Sequence, residues 1–364
     1  MKKDTAFTLL IVLCSLAQVG LSGVLLNSLS NIDNWSAVYA EDSTGYLLAA
    51  DYFRGSAVDA EDVPLLRYRL FSPAIPLLAA LVGNMTGIPA AFLIINIVLW
   101  NLAALLFYRL LKTLLKDQLS ALCGAVMLTT SLPVAQWGLP VMVDMGAYFC
   151  AGCVFFLYFW VKERRPPATV LYGVVIGFAV LTKPTLLSLL LFAGLCFLRD
   201  RAPLRGCVVV LAALGVIAGA YSLLGLSIAD FTPYGVPRHR GIVYLVSAAF
   251  FCFHWGWYFL FIGWRQQRSY TGVYMLYLIA FGVPYVLFVH NPRLFFLSYP
   301  AVIPCIVAGI RQVFPSARRT LWAVAAYAVT SNIVTVLHLY VMRTLKVRDV
   351  ESLQAVIFSF FGMS

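Results

Sequence analysis

Two adjacent carboxylates, Glu41 and Asp42, stand after the first long apolar run of the sequence, and Tyr46 follows Asp42 by four residues. A carboxylate held near a hydroxyl can take its proton. Further along, Asp144 opens another apolar run and Lys183 sits between Thr182 and Pro184. Arg238, His239, Arg240, His290 and Arg293 lie at the ends of later runs. Arginine suits bidentate contact with a phosphate, and lysine acts there as a point charge. These residue types are those of acid–base chemistry beside an anion. Plainer roles exist for each: Glu41 and Asp42 as helix caps that favour the helix dipole, Lys183 as a snorkelling side chain, 233–241 as a headgroup-contacting loop, and Arg293 as an interfacial anchor.

The elements that must position these residues are membrane helices. Of 364 residues, 62% are hydrophobic and 11% charged, with a mean hydropathy of +0.88. A soluble domain carries roughly 25% charged residues, so this chain has too few to cover a water-facing surface. A helix crosses a bilayer with about 20 apolar residues. The expected fold is all-α and multi-pass, with about eleven spans at 6–27, 89–111, 118–134, 142–161, 168–182, 184–198, 206–226, 241–264, 270–289, 294–311 and 320–341. The segment 71–82 is too short to span and carries Pro73 and Pro76, so it reads as a half-inserted or interfacial helix. The first run is longer than a usual signal-peptide core and no A-x-A site closes it, which reads as an uncleaved first span. The chain is expected to be one transmembrane domain over 1–364, with a first outer loop at 28–88 and a short tail at 342–364 in place of a soluble C-terminal domain.

Charge supplies an orientation. With the N-terminus inside, one set of loops carries Lys2 and Lys3; Arg109, Lys112 and Lys116; Lys162, Arg164 and Arg165; Arg199, Arg201 and Arg205; Arg265 and Arg268; and Arg311, Arg318 and Arg319. Every short inside loop is then basic, as the positive-inside rule requires. The formal charge of +11 is thus topological and implies no nucleic acid. Most carboxylates, among them Asp42 and Asp144, fall on the other side. Ionisable groups at membrane depth are costly and point to function; their collection on one face predicts a site opening outward. The eight cysteines lie in or beside apolar runs, and Cys150 and Cys153 read as small buried residues without metal or disulfide partners.

From Asp42, the positions Tyr46, Ala49, Ala50 and Phe53 recur at helical spacing, and Gly55 stands where such a helix would stop. This predicts a short helix along the outer surface with its apolar stripe down and the carboxylates at its start. "EDSTGYLLAADYFRG" (Glu41–Gly55) after a first span resembles the first outer loop of the GT-C superfamily, integral-membrane glycosyltransferases of the protein-mannosyltransferase and aminoarabinose-transferase kind. Asp42 and Tyr46 have the family's spacing, but the acidic pair reads Glu-Asp and Ser43 stands where many relatives have a second acid. "YRLFSPAIPLLAALVG" (Tyr68–Gly83), "VMVDMGAYF" (Val141–Phe149), "LTKPTLL" (Leu181–Leu187) and "NPRLFFLSYPAV" (Asn291–Val302) are similar, in order, to later family segments.

The resemblance implies transfer of a sugar from a polyprenyl-phosphate donor to an acceptor hydroxyl of a glycan, lipid or protein. The site would lie on the periplasmic or extracellular side of an inner or plasma membrane. Such a reaction needs a base at the acceptor and positive charge at the departing phosphate. Asp42 is the expected base, with Glu41 orienting the acceptor. Asp144 and Tyr46 are expected to bind substrate, and Lys183, Arg238, His239, Arg240, His290 and Arg293 are candidates for the phosphate. No cofactor is fixed; a divalent cation, if one is used, would fall to Asp42 and Asp144, although two acids without a third ligand argue little for it. Two other readings are a polymerase or ligase of lipid-linked glycans and a secondary transporter or flippase. The first would emphasise Arg and His over an acidic pair; the second predicts internal repeats, which the sequence lacks. His254 reads as a hydrogen-bonded histidine within a span.

Overall fold

The computed structural model describes residues 2–29, 42–131, 138–164, 166–227, 230, 252–288 and 292–344. Among them all regular structure is helical. Helix α1 is Lys2–Leu29, and the first loop contributes α2 (Ser43–Phe53), α3 (Val63–Arg69) and α4 (Ala74–Thr86). The bundle continues with α5 (Ile88–Leu115), α6 (Gln118–Thr129), α7 (Asp144–Val161) and α8 (Pro166–Thr182). A 3-10 turn at Pro184–Leu187 leads into α9 (Ser188–Arg199), then α10 (Pro203–Leu223) and, further on, α11 (Gly256–Gln266) and α12 (Arg268–Phe288). Short turns at Pro292–Phe295 and Phe296–Ser298 precede α13 (Tyr299–Val313) and α14 (Ala317–Thr344). Every predicted span overlaps a described helix. Among the described residues five segments are long and apolar enough to cross a membrane, Asp4–Val24, Ile88–Leu115, Asp144–Val161, Pro203–Leu223 and Phe296–Val313, so the chain is an integral membrane protein.

The apolar pattern explains which faces meet. In α5 the buried positions Ile88, Phe92, Asn96, Trp100, Ala104, Phe107, Leu111 and Leu114 recur every three or four residues, one face of a helix. That face joins an aromatic core in which Phe155 stands 4.9 Å from Tyr277 and Phe107 stands 5.1 Å from Tyr299, both edge to face. Buried tyrosines need a partner for the hydroxyl: Tyr299 donates to the Tyr148 carbonyl and Tyr277 to that of Leu297, each at 3.0 Å. Helices α11 and α13 cross at their backbones. A Cβ on Gly263 or Gly309 would fall on the main chain of the opposite helix, so only glycine allows this approach.

The polar groups separate into two ends. Lys112 bonds Asp4 at 2.8 Å, Arg199 bonds Asp200 at 2.8 Å, and Arg311 lies 3.7 Å from Asp117. These residues belong to the basic loops assigned to one side. Arg69–Asp42, Arg67–Asp230 and Lys183–Asp144 belong to the other. Each of these ion pairs among the described residues joins partners assigned to the same end. The Asp200 carboxyl is disfavoured as a charge by its partial burial, but bonds from Tyr158 and Arg199 overcome this and hold its pKa below the ordinary carboxylate value.

Helix α4 has 13 residues, about 20 Å at 1.5 Å each, against a hydrocarbon core of about 30 Å. It bends by 105° from α3, with Ser72 and Pro73 at the corner. Tyr221, near the end of α10, donates to the Phe71 carbonyl at 3.1 Å and packs edge-on against its ring. The first loop is thereby folded down onto the bundle end that carries Asp144. The cysteines at positions 150 and 153 are free, and Cys150 lies 3.8 Å from the Thr182 hydroxyl. Nε2 of His254 lies 3.2 Å from the Ser331 hydroxyl, itself a donor to the Thr130 carbonyl at 2.7 Å, the hydrogen-bonded role expected for this histidine.

Candidate active site

Helix α2 forms where the spacing predicted it. Its buried face is Ser43, Gly45, Tyr46, Ala49 and Ala50, and Arg54 and Gly55 close it, Gly55 at a φ of +83°. Asp42 occupies the N-cap position, but its side chain makes no capping bond. Its carboxylate instead accepts from Nη2 of Arg69, the last residue of α3, at 2.6 Å. The Arg69 guanidinium lies over the rings of Tyr46 at 4.7 Å and Tyr68 at 5.1 Å, and its Nη1 reaches the Tyr46 hydroxyl at 3.4 Å. Gly45 makes room for this side chain, since a Cβ there would stand 2.7 Å from Nε. Burial alone would lower the Arg69 pKa, but Tyr46 and Asp42 raise it above the ordinary value, so the guanidinium stays charged.

Asp144 is reached through an irregular segment whose carbonyls are taken up by side chains. Asn96, wholly buried in α5, donates through Nδ2 to Pro140 at 2.7 Å, Leu139 at 3.2 Å and Met142 at 3.4 Å. Ser43 donates to the Val141 carbonyl at 3.0 Å. Buried carbonyls without partners are expensive, so these two side chains fix the path into α7. The residue next to Asp42 thus touches the segment that delivers Asp144. Tyr46, Ala50, Ile75, Phe92, Val141 and Val143 fill the space between in one apolar cluster.

Asp144 begins α7, where the helix dipole favours a carboxylate. Its side chain is 1% exposed and bonds Nζ of Lys183, 10% exposed, at 2.5 Å. Pro184 explains the position of the lysine. It disfavours helical geometry in the preceding residue, and Lys183 is extended at φ −156°, ψ 121°, breaking the chain between α8 and the following turn. Asp42 thus pairs with Arg69 and Asp144 with Lys183. On the rim, Ser227 donates its amide and hydroxyl to Asp230, each at 2.8 Å, and Arg67 pairs with it at 2.7 Å. These bonds hold the Asp230 carboxyl down to about 2.

Of the predicted site residues, Asp42, Tyr46, Asp144 and Lys183 come together on one end of the bundle. Glu41, Arg238, His239, Arg240 and His290 lie outside the described residues, and Arg293 falls in the Pro292–Phe295 turn with its side chain outside them. Among the described residues no three of His, Cys, Asp and Glu gather as a metal ligand set. Asp42 and Asp144, the residues to which a divalent cation was expected to fall, are paired here with Arg69 and Lys183. Two contributors escaped the sequence reading. Arg69 sits inside the segment Tyr68–Gly83, with nothing local to join it to Asp42. Asn96 carried a usable signal, a lone amide within the apolar run "FLIINIVLW".

No family profile and no curated protein sequence matches this chain. Solved structures match its fold. ArnT from Cupriavidus metallidurans superimposes with a TM-score of 0.59 in the apo state and 0.60 in the complex with undecaprenyl phosphate, at 15% identity. Each comparison covers 85% of this chain and 60% of ArnT. An oligosaccharyltransferase from Archaeoglobus fulgidus, in a complex with zinc and sulfate, superimposes with a TM-score of 0.51 at 13% identity, over 89% of this chain and 53% of that one. The chain spans well under two thirds of the length of each. The expectation drawn from Asp42, Tyr46 and the ordered segments after them is met at the level of fold: over most of its length the chain has the helical architecture of ArnT and of the oligosaccharyltransferase.

Proposed function

We propose that this protein transfers a sugar from a polyprenyl-phosphate donor to an acceptor hydroxyl, with inversion, on the outer face of the membrane. The observation that carries the reading is the placement of Asp42, beside a fixed guanidinium and next to the segment that delivers the Asp144–Lys183 pair. Asp42 takes the acceptor proton as the hydroxyl oxygen attacks the anomeric carbon. The bond from that carbon to the phosphate oxygen breaks, and its electron pair leaves with the polyprenyl phosphate. General-base help of this kind contributes roughly 10²–10⁴-fold, and positive charge placed where the leaving phosphate gathers its own charge usually contributes more.

Lys183 is committed to Asp144, so in this reading it anchors the carboxylate rather than meeting the phosphate first. Arg238, Arg240, Arg293, His239 and His290 supply the phosphate charge. Glu41 orients the acceptor, and Tyr46 and Asp144 border the sugar. The undecaprenyl phosphate held by the ArnT structure supports a donor of this class. The test presents purified protein with matched sugars on polyprenyl phosphate and on nucleoside diphosphate, reading transfer to simple alcohols and hydrolysis to water. Turnover confined to the lipid-phosphate series supports the proposal. Turnover with the nucleotide series, or failure of polyprenyl phosphates to bind or stabilise the protein, contradicts it.

A further inference from the structure

The two ion pairs at this end of the bundle differ in access. Lys183 and Asp144 are sealed, with side chains 10% and 1% exposed. Arg69 and Asp42 are 13% and 24% exposed. Parting the sealed pair strands a charge away from water, whereas Asp42 can leave Arg69 and remain hydrated. Arg69 need not move when it does. The faces of Tyr46 and Tyr68 hold its guanidinium at 4.7 and 5.1 Å, and aromatic faces attract a cation without neutralising it. Its stem crosses Gly45 so closely that a Cβ there would stand 2.7 Å from Nε. The guanidinium is thus a fixed cation with an exchangeable partner.

A carboxylate paired with arginine is a poor base, because an adjacent guanidinium lowers an aspartate pKa by about 1–3 units. The resting pair therefore leaves Asp42 ill-suited to accept a proton, while the donor arrives carrying an anion. We propose that Arg69 is an exchange cation: the donor phosphate takes the guanidinium from Asp42, and the base is uncovered only when the donor is present. This rests on the reading of Asp42 as the base. The donor phosphate brings one negative charge, so the four side chains and the phosphate together carry a net −1 in the donor complex. In the resting site Asp42, Arg69, Asp144 and Lys183 sum to zero; in the donor complex Arg69 faces the phosphate and the freed carboxylate faces the acceptor hydroxyl. The described titratable groups around Asp42 are Tyr46 on its own helix and Tyr68 and Arg69 on α3, with the Asp144–Lys183 pair beyond the segment that Ser43 bonds. Helix α4 and the first half of α5 carry no titratable residue.

The experiment follows Asp42 directly by NMR of the full chain in micelles with ¹³Cγ-labelled aspartate, its resonance assigned by loss in Asp42→Asn. Farnesyl phosphate, inorganic phosphate and neutral farnesol are the probes. Farnesyl phosphate is expected to raise the Asp42 titration midpoint by about 1 unit or more, and farnesol to leave it in place. A matching shift with inorganic phosphate assigns the effect to the phosphate group alone; a shift with farnesyl phosphate only adds a need for the lipid. In Arg69→Gln the midpoint starts high and the probe adds nothing, with the Asp144 resonance reporting that the variant is folded; Arg69→Lys restores part of the response. A midpoint unmoved by farnesyl phosphate in the wild type overturns the proposal whether or not the variants fold, as does an equal shift in Arg69→Gln. If the exchange occurs but Asp42→Asn still turns over sugar at the wild-type rate, the exchange stands and the assignment of the base falls.

Discussion

Replacing Lys183 by methionine keeps the stem and removes the charge that pairs with the Asp144 carboxylate. That side chain is 1% exposed, so it cannot turn to water. Removing one partner of a buried pair costs about 3–5 kcal/mol, two to three powers of ten in the folded population or more. Asp144→Asn should cost less, about 1–3 kcal/mol, because the remaining lysine is 10% exposed and its stem lets the ammonium reach toward water. The double variant should be far better than the two costs added, with a coupling of about 2 kcal/mol or more. Reversible unfolding in mixed micelles under increasing dodecyl sulfate measures all four corners of the cycle. Simple additivity, or a Lys183→Met variant within about 0.5 kcal/mol of wild type, would refute the claim that this pair fixes the start of α7.

Further outcomes follow from other contacts. Gly263→Leu or Gly309→Leu should abolish folding, seen as loss of the monodisperse peak in size-exclusion chromatography, because neither crossing helix can retreat from a side chain at its backbone. Asn96→Leu should cost about 1–3 kcal/mol by orphaning the carbonyls it serves, and should lower turnover more than donor binding because Asp144 loses its fixed approach. The Asp230 carboxyl sits below the ordinary aspartate value of about 3.9, so its hold on the chain is complete above that pH and is lost as pH falls through about 2. The Ser227 amide shift should titrate near that midpoint, and Asp230→Asn should remove the transition.

The fold could be read from the sequence because its rules are local. Apolar runs and basic loops placed the helices, and helical spacing after Asp42 located α2 with its buried Tyr46, Ala49 and Ala50. Partnership could not be read in the same way. Arg69 meets Asp42 only because α3 and α4 fold back through a 105° bend, and Lys183 meets Asp144 only because α7 and α8 lie side by side. Spacing along the chain reports the face of one helix; it does not report which end of another helix comes to rest against it. Asp42 looked equally suited to capping α2; in the structure its side chain makes no capping bond and accepts from Arg69 instead.

The central claim is that Asp42 takes the acceptor proton in sugar transfer from a lipid phosphate. It is tested most directly by single-turnover transfer from a polyprenyl-phosphate sugar, comparing wild type with folded Asp42→Asn at saturating donor. A loss of at least about 10²-fold in the transfer step is expected, with donor binding retained. Transfer by Asp42→Asn at the wild-type rate would contradict it.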